Sequence, residues 1–150
     1  MTLICVDPGE YTKACAPKIL YAMFGPSIGI GAIYNGTAYM AHIEHDNTEQ
    51  LTPLLDDLRR DAQVHPFRPD IYIAGGCLEF DPLDPHCREK NIETLRLREA
   101  IIAKIGLALF FPYIRETRFG NGNASIELFL YPSTGRYRFH EVPNDEFLLF

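Results

Sequence analysis

The sequence predicts an α+β domain: mostly antiparallel strands with two outer helices. Three observations lead there. Short apolar runs bounded by Gly, Pro and Asn recur along the chain. Two segments pair a helix-start signal with apolar residues at helical spacing. The 150 residues are 47% hydrophobic and 23% charged, enough apolar material for one buried core. No linker, repeat or low-complexity tract divides the chain, so one domain is expected over residues 1–150.

The elements follow in order. TLICV, 2–6, reads as a short strand and DPGEYTKACAP, 7–17, as a loop. KILYAMF, 18–24, is a second strand, broken by Gly25-Pro26. SIGIGAIY, 27–34, alternates Ile with Gly, so small residues line one face and imply close approach by another backbone. Asn35-Gly36 is a hairpin signal, because both central positions of a type I′ turn need positive φ. TAYMAHIE, 37–44, returns as the partner strand.

Thr52 as N-cap and Pro53 at the first helical position open a helix over 53–64, with Leu54, Leu55, Leu58 and Ala62 on one side. DIYIAGG, 70–76, reads as a buried strand and DPLDPHCREK, 81–90, as a loop. Asn91 caps a second helix over 91–105 that Gly106 ends, with Leu95, Ile102 and Ile105 on its core face and Ile101 beside them. LALFFPYI (107–114), SIELFLY (125–131) and RYRFHEV (136–142) complete the strands, the last two joined by a turn at Pro132-Ser133-Thr134-Gly135.

Charge and composition exclude several roles. The net charge is −6, unlike the basic surface that phosphate backbones attract, so no nucleic-acid partner is expected. No apolar run approaches the roughly 20 residues of a membrane span, so no membrane insertion is expected. MTLICVDPGE lacks a basic region followed by an apolar stretch, which argues against a signal peptide and for a cytoplasmic protein. Cys5, Cys15, Cys77 and Cys87 form no C-x-x-C pair and are expected as free thiols. Cys77, His86 and Cys87 could in principle hold an ion, but adjacent His86 and Cys87 wrap one ion awkwardly. The expectation is no metal and no cofactor.

One constellation suggests chemistry. Ser27 and His42 are 15 residues apart, and a hairpin turning at 35–36 folds that separation back on itself. In that register Tyr34 faces Thr37 and Gly29 faces His42, so Ser27 lies on the same face, diagonal to His42. Gly29 and Gly31 would leave open space over that face for a substrate. Backbone N–H groups from Gly25 through Pro26 and Ser27 to Ile28 could hold an oxyanion. A nucleophile beside a histidine base suits acyl transfer. His45 is a second candidate base, at the strand end and facing the other way. The plainer alternative is turn chemistry after Gly-Pro and a structural histidine.

The pattern resembles the CheD family, the bacterial chemoreceptor glutamine deamidases. Phe24-Gly25-Pro26-Ser27 stands where the family has a Leu-Gly-Ser-Cys nucleophile segment, and Ala41-His42 resembles its histidine element. Pro8-Gly9-Glu10-Tyr11, IYIAGGCLEF, Lys90-Asn91-Ile92 and PSTGRYRFHEV resemble further family pieces in the same order over most of the chain. Cytotoxic necrotizing factor deamidases share the Cys–His arrangement. The resemblance implies a CheD-like sandwich and a cofactor-free protein-glutamine deamidase. Its partner would be a protein substrate with an exposed glutamine, a chemoreceptor or, for a secreted effector without a cleavable signal, a host protein.

Three departures accompany the likeness. Ser27 occupies the position of the family's catalytic cysteine, so the chain as it stands is expected to be inactive. The serine is read as an engineered Cys-to-Ser change that silences the enzyme, with a natural substitution as the alternative. Tyr21 stands where the family has a site-supporting threonine, and Glu44-His45-Asp46 replaces its Leu-Pro. A catalytically dead binding domain is the competing reading.

Overall fold

Alternation along the strands decides the architecture. The computed structural model describes residues 2–63, 68–78, 81, 83–109, 113–121 and 124–143. The strands are β1 (Leu3–Cys5), β2 (Tyr11–Cys15), β3 (Ile19–Phe24), β4 (Ile28–Tyr34), β5 (Thr37–Ile43), β6 (Asp70–Leu78), β7 (Tyr113–Asn121), β8 (Ala124–Tyr131) and β9 (Arg136–Pro143). The helices are α1 (Thr52–Ala62) and α2 (Cys87–Ala108), and a 3-10 turn over Thr48–Leu51 leads into α1. The fold is α+β. The nine strands form one hydrogen-bonded path, β1-β3-β8-β7-β6-β4-β5-β2, with β9 on β8. Most pairings are antiparallel; β1 with β3 and β6 with β7 are parallel.

The path turns over where Asn121 of β7 pairs with Ala124 of β8, and so makes two facing layers. On β4 and β5, Ile28, Ile30, Ala32, Tyr39, Ala41 and Ile43 face the helices and pack on Leu54, Leu58, Ile101 and Ile105. The opposite side chains, Ile33, Ala38 and Met40, meet Leu20, Ala22 and Phe24 of β3 and Ile126, Leu128 and Leu130 of β8. β4 is therefore buried on both faces along its whole length.

The hairpin forms as its sequence predicts. Asn35 and Gly36 take φ of 49° and 76°, and the register runs from Tyr34↔Thr37 through Gly29↔His42 to Ile28↔Ile43. Other expectations need correction. Residues 11–15 are not loop: they form β2, whose Ala14 is buried and which pairs with β5. Thr52 does not cap α1; it is already helical, with φ −56° and ψ −46°, because the 3-10 turn runs into the helix. α1 ends at Ala62, and the expected last residue, 64, lies outside the described residues.

α2 begins at Cys87, within the expected loop, and Asn91 lies inside it. It continues past Gly106, which has open space where a Cβ would be. A surface glycine of this kind weakens a helix by about 1 kcal/mol without ending it. The face that α2 buries is Arg98, Ile101 and Ile105, whereas Leu95 and Ile102 are exposed. The strand expected over 107–114 begins only at Tyr113; residues 107–108 finish the helix, and 110–112 lie outside the described residues.

Candidate functional site

Ser27 leaves the Gly25–Ser27 bend just before β4, so its side chain takes the odd-numbered face of the strand. That face also carries Gly29, opposite His42. The diagonal approach is made: Ser27 Oγ lies 2.8 Å from His42 Nε2. His42 Nδ1 lies 3.0 Å from the carbonyl oxygen of Val6. A carbonyl only accepts, so Nδ1 carries the proton and donates. In the neutral ring Nε2 is then the acceptor, and the Ser27 hydroxyl donates to it. This is the tautomer a general base requires.

His42 is 4% exposed. Burial lowers its pKa from the ordinary value, while the Val6 carbonyl and the charges of Asp7 and Glu44 raise it in part. The ring is therefore neutral near pH 7 and able to take a proton. Its backbone is held as well: His42 N–H donates to Glu10 O at 2.9 Å, and Gly9 N–H donates to His42 O at 2.8 Å. Val6 N–H donates to Tyr21 O at 2.8 Å. The site thus joins the two layers, with Ser27 and His42 from one and Val6 anchored to β3 in the other.

The other expected site residues fall differently. Tyr21 is on the outer face of β3, where its hydroxyl donates to Glu127 Oε2 at 2.5 Å and its ring meets Phe129 at 4.8 Å. Burial and the Glu127 bond raise its pKa to about 12. It supports the site through its carbonyl alone. Pro26 has no N–H to offer an oxyanion. The parity of the two-residue hairpin directs the N–H of Ile28 into the ladder with Ile43. Among the described residues, Gly25 and Ser27 have backbone N–H groups that donate to no backbone carbonyl. His45 is exposed beyond β5 with φ 50° and does not join the pair.

The open space expected over Gly29 and Gly31 is filled. A Cβ on Gly29 would lie 1.9 Å from Phe24 Cζ, and one on Gly31 would lie 2.9 Å from Leu128 Cδ2. The glycines admit side chains of the facing layer, not a substrate. Phe24 is the neighbour that sequence reasoning missed. Ser27 is half-buried at the bend. A cavity of about 290 Å³ lies at the opposite end of the hairpin, lined by Lys13, Tyr34, Asn35, Thr37, Tyr39 and Asp61.

Among the described residues, no three His, Cys, Asp or Glu side chains gather as ion ligands. Cys5, Cys15, Cys77 and Cys87 are unbridged. Among the described residues no helix is long and apolar enough to cross a membrane. Compared with protein-family models and with curated proteins, the chain matches none.

Proposed function

We propose that the chain is a CheD-like protein-glutamine amidohydrolase whose nucleophile position is held by Ser27 and whose activity is low in this form. The observation that carries the reading is the 2.8 Å approach of Ser27 Oγ to His42 Nε2, with the tautomer of His42 fixed by Val6. The native reaction is hydrolysis of a glutamine side-chain amide. With a thiol at position 27, sulfur attacks the carboxamide carbon as its proton passes to His42 Nε2. The tetrahedral intermediate collapses, ammonia leaves with that proton, and a thioester remains. Water then attacks the thioester, giving a proton to His42 that returns to the sulfur, and glutamate is released.

Burial of His42 shapes this chemistry. A buried imidazolium is disfavoured, so proton transfer accompanies attack rather than preceding it as a stable ion pair. Sulfur tolerates this because a thiol ionises near pH 8.5, whereas a hydroxyl does not ionise in this range. Of the pair, Ser27 is the half-exposed member, at a bend, which suits a glutamine presented on a protein surface. The substrate is a chemoreceptor or, for an effector, a host protein.

The test is Ser27→Cys. The chain as it stands is expected to release little ammonia from a protein glutamine, and the variant to release it readily, with a gain of about 1 Da per glutamine as –NH₂ becomes –OH. An inactive variant whose new thiol is no more reactive than the others would sink the enzyme reading. The binding-domain reading would then replace it.

A further inference from the structure

One buried charge, Arg98, takes no direct part in this chemistry. It is 4% exposed, and its guanidinium lies 3.5 Å over the Phe119 ring. Burial lowers its pKa to about 10, and no carboxylate among the described residues pairs with it. A buried cation is costly unless its donors are satisfied, so the groups that satisfy it matter. Its one described hydrogen bond runs from Nη1 to the carbonyl of Gly75 at 3.0 Å.

That carbonyl belongs to a bulge. Ala74 pairs with Arg118 and Cys77 with Gly120, so β6 carries one residue more than β7 across Gly75-Gly76. Both glycines have positive φ, 88° and 75°. A Cβ on Gly75 would lie 2.2 Å from the carbonyl oxygen of Ser27, so only glycine permits this approach. Gly76 N–H donates to that same Ser27 oxygen at 3.0 Å. The chain of contacts is therefore Arg98, the Gly75-Gly76 bulge, the Ser27 backbone, and the Ser27 hydroxyl on His42.

We propose that Arg98 is a positioning residue: by holding the Gly75 carbonyl it fixes the bulge whose Gly76 N–H sets Ser27 at hydrogen-bond distance from His42. The inference rests on the nucleophile–base reading of that pair. Guanidinium suits the task because it is planar, stacks on the ring and donates in a fixed direction.

The experiment uses the full chain carrying Ser27→Cys, with iodoacetamide labelling of the introduced thiol followed by peptide mass at pH 7. With Arg98 present, His42→Ala is expected to slow that labelling about tenfold or more. With Arg98→Met, the same His42→Ala change is expected to slow it less than about twofold, because thiol and imidazole are already apart. A merely structural arginine would leave the His42 effect unchanged in a folded variant. Circular dichroism establishes folding. Where Arg98→Met does not fold, Arg98→Lys carries the comparison, and the His42 effect is expected to fall below about fivefold. An undiminished His42 effect in either folded variant overturns the proposal. If His42→Ala leaves labelling unchanged with Arg98 in place, the nucleophile–base reading fails first, and the role of Arg98 falls with it.

Discussion

Phe24 meets the His42 imidazole edge-on, with ring centroids 4.5 Å apart and planes at 66°. The same ring occupies the space above Gly29. One aromatic side chain therefore walls the base and explains the glycine opposite it. Gly29→Ala is expected to destabilise the fold by about 1–3 kcal/mol, the range for overpacking a close-fitted core. Gly31→Ala, whose methyl would meet the ends of Leu128 and Leu130 at 2.9 and 3.0 Å, is expected to be milder. Urea unfolding of the two variants checks the order.

Phe24→Ala is expected to cost about 3–5 kcal/mol through the cavity it leaves. Adding Gly29→Ala to that background is then expected to cost little or to help, since the new methyl enters vacated space. Equal penalties with and without Phe24 would contradict the packing described.

Titration of His42 has a definite sign. Its folded pKa lies below the unfolded value of 6.5, so the unfolded chain binds the proton more readily. The contribution to stability is present above about pH 6.5 and is lost as pH falls from there through the folded pKa. The denaturation midpoint is expected to fall between pH 7 and pH 5, and to fall less in His42→Gln. In Ser27→Cys, activity is expected to persist below pH 6.5 because the base stays neutral there. A ring titration by NMR above 6.5 would refute both expectations.

Tyr21→Phe is expected to leave the reactivity of the Ser27→Cys thiol within about twofold, since the hydroxyl points to Glu127 on the outer face. Stability is expected to fall by about 1 kcal/mol for the lost bond. A large loss of thiol reactivity would show that this hydroxyl reaches the site after all.

Denatured without reductant, the chain is expected to show all of its thiols, Cys5, Cys15, Cys77 and Cys87, to Ellman's reagent. In the folded chain, Cys5, though exposed, is expected to react more slowly than a peptide thiol, because partial desolvation and then Asp7 push its pKa up. A missing thiol in the denatured sample would point to an oxidising compartment and favour the effector alternative.

The hairpin and its Ser27–His42 diagonal were legible because both follow from local rules: positive φ at Asn35-Gly36 fixes the turn, and the turn fixes the register. The contents of the space over Gly29 were not legible, because Phe24 reaches it through the pairing of β3 with β8 about a hundred residues later. β2 escaped notice for a similar reason. Lys13 and Thr12 look like loop residues until β5 supplies their partners. The periodicity of α2 misled because its buried face includes Arg98, a residue type that polarity assigns to solvent. The role of Val6 left no trace in its side chain, since the group used is the carbonyl.

That last feature governs how mutational scans would perceive the site. The hydroxyl of Ser27 and the ring of His42 can each be deleted by changing one codon. The group that aligns the ring cannot, because every amino acid brings the same carbonyl to position 6. A saturation screen would score Val6 for volume alone and report a two-residue machine. Proline is the informative exception: it keeps the carbonyl but removes the N–H that anchors it to Tyr21.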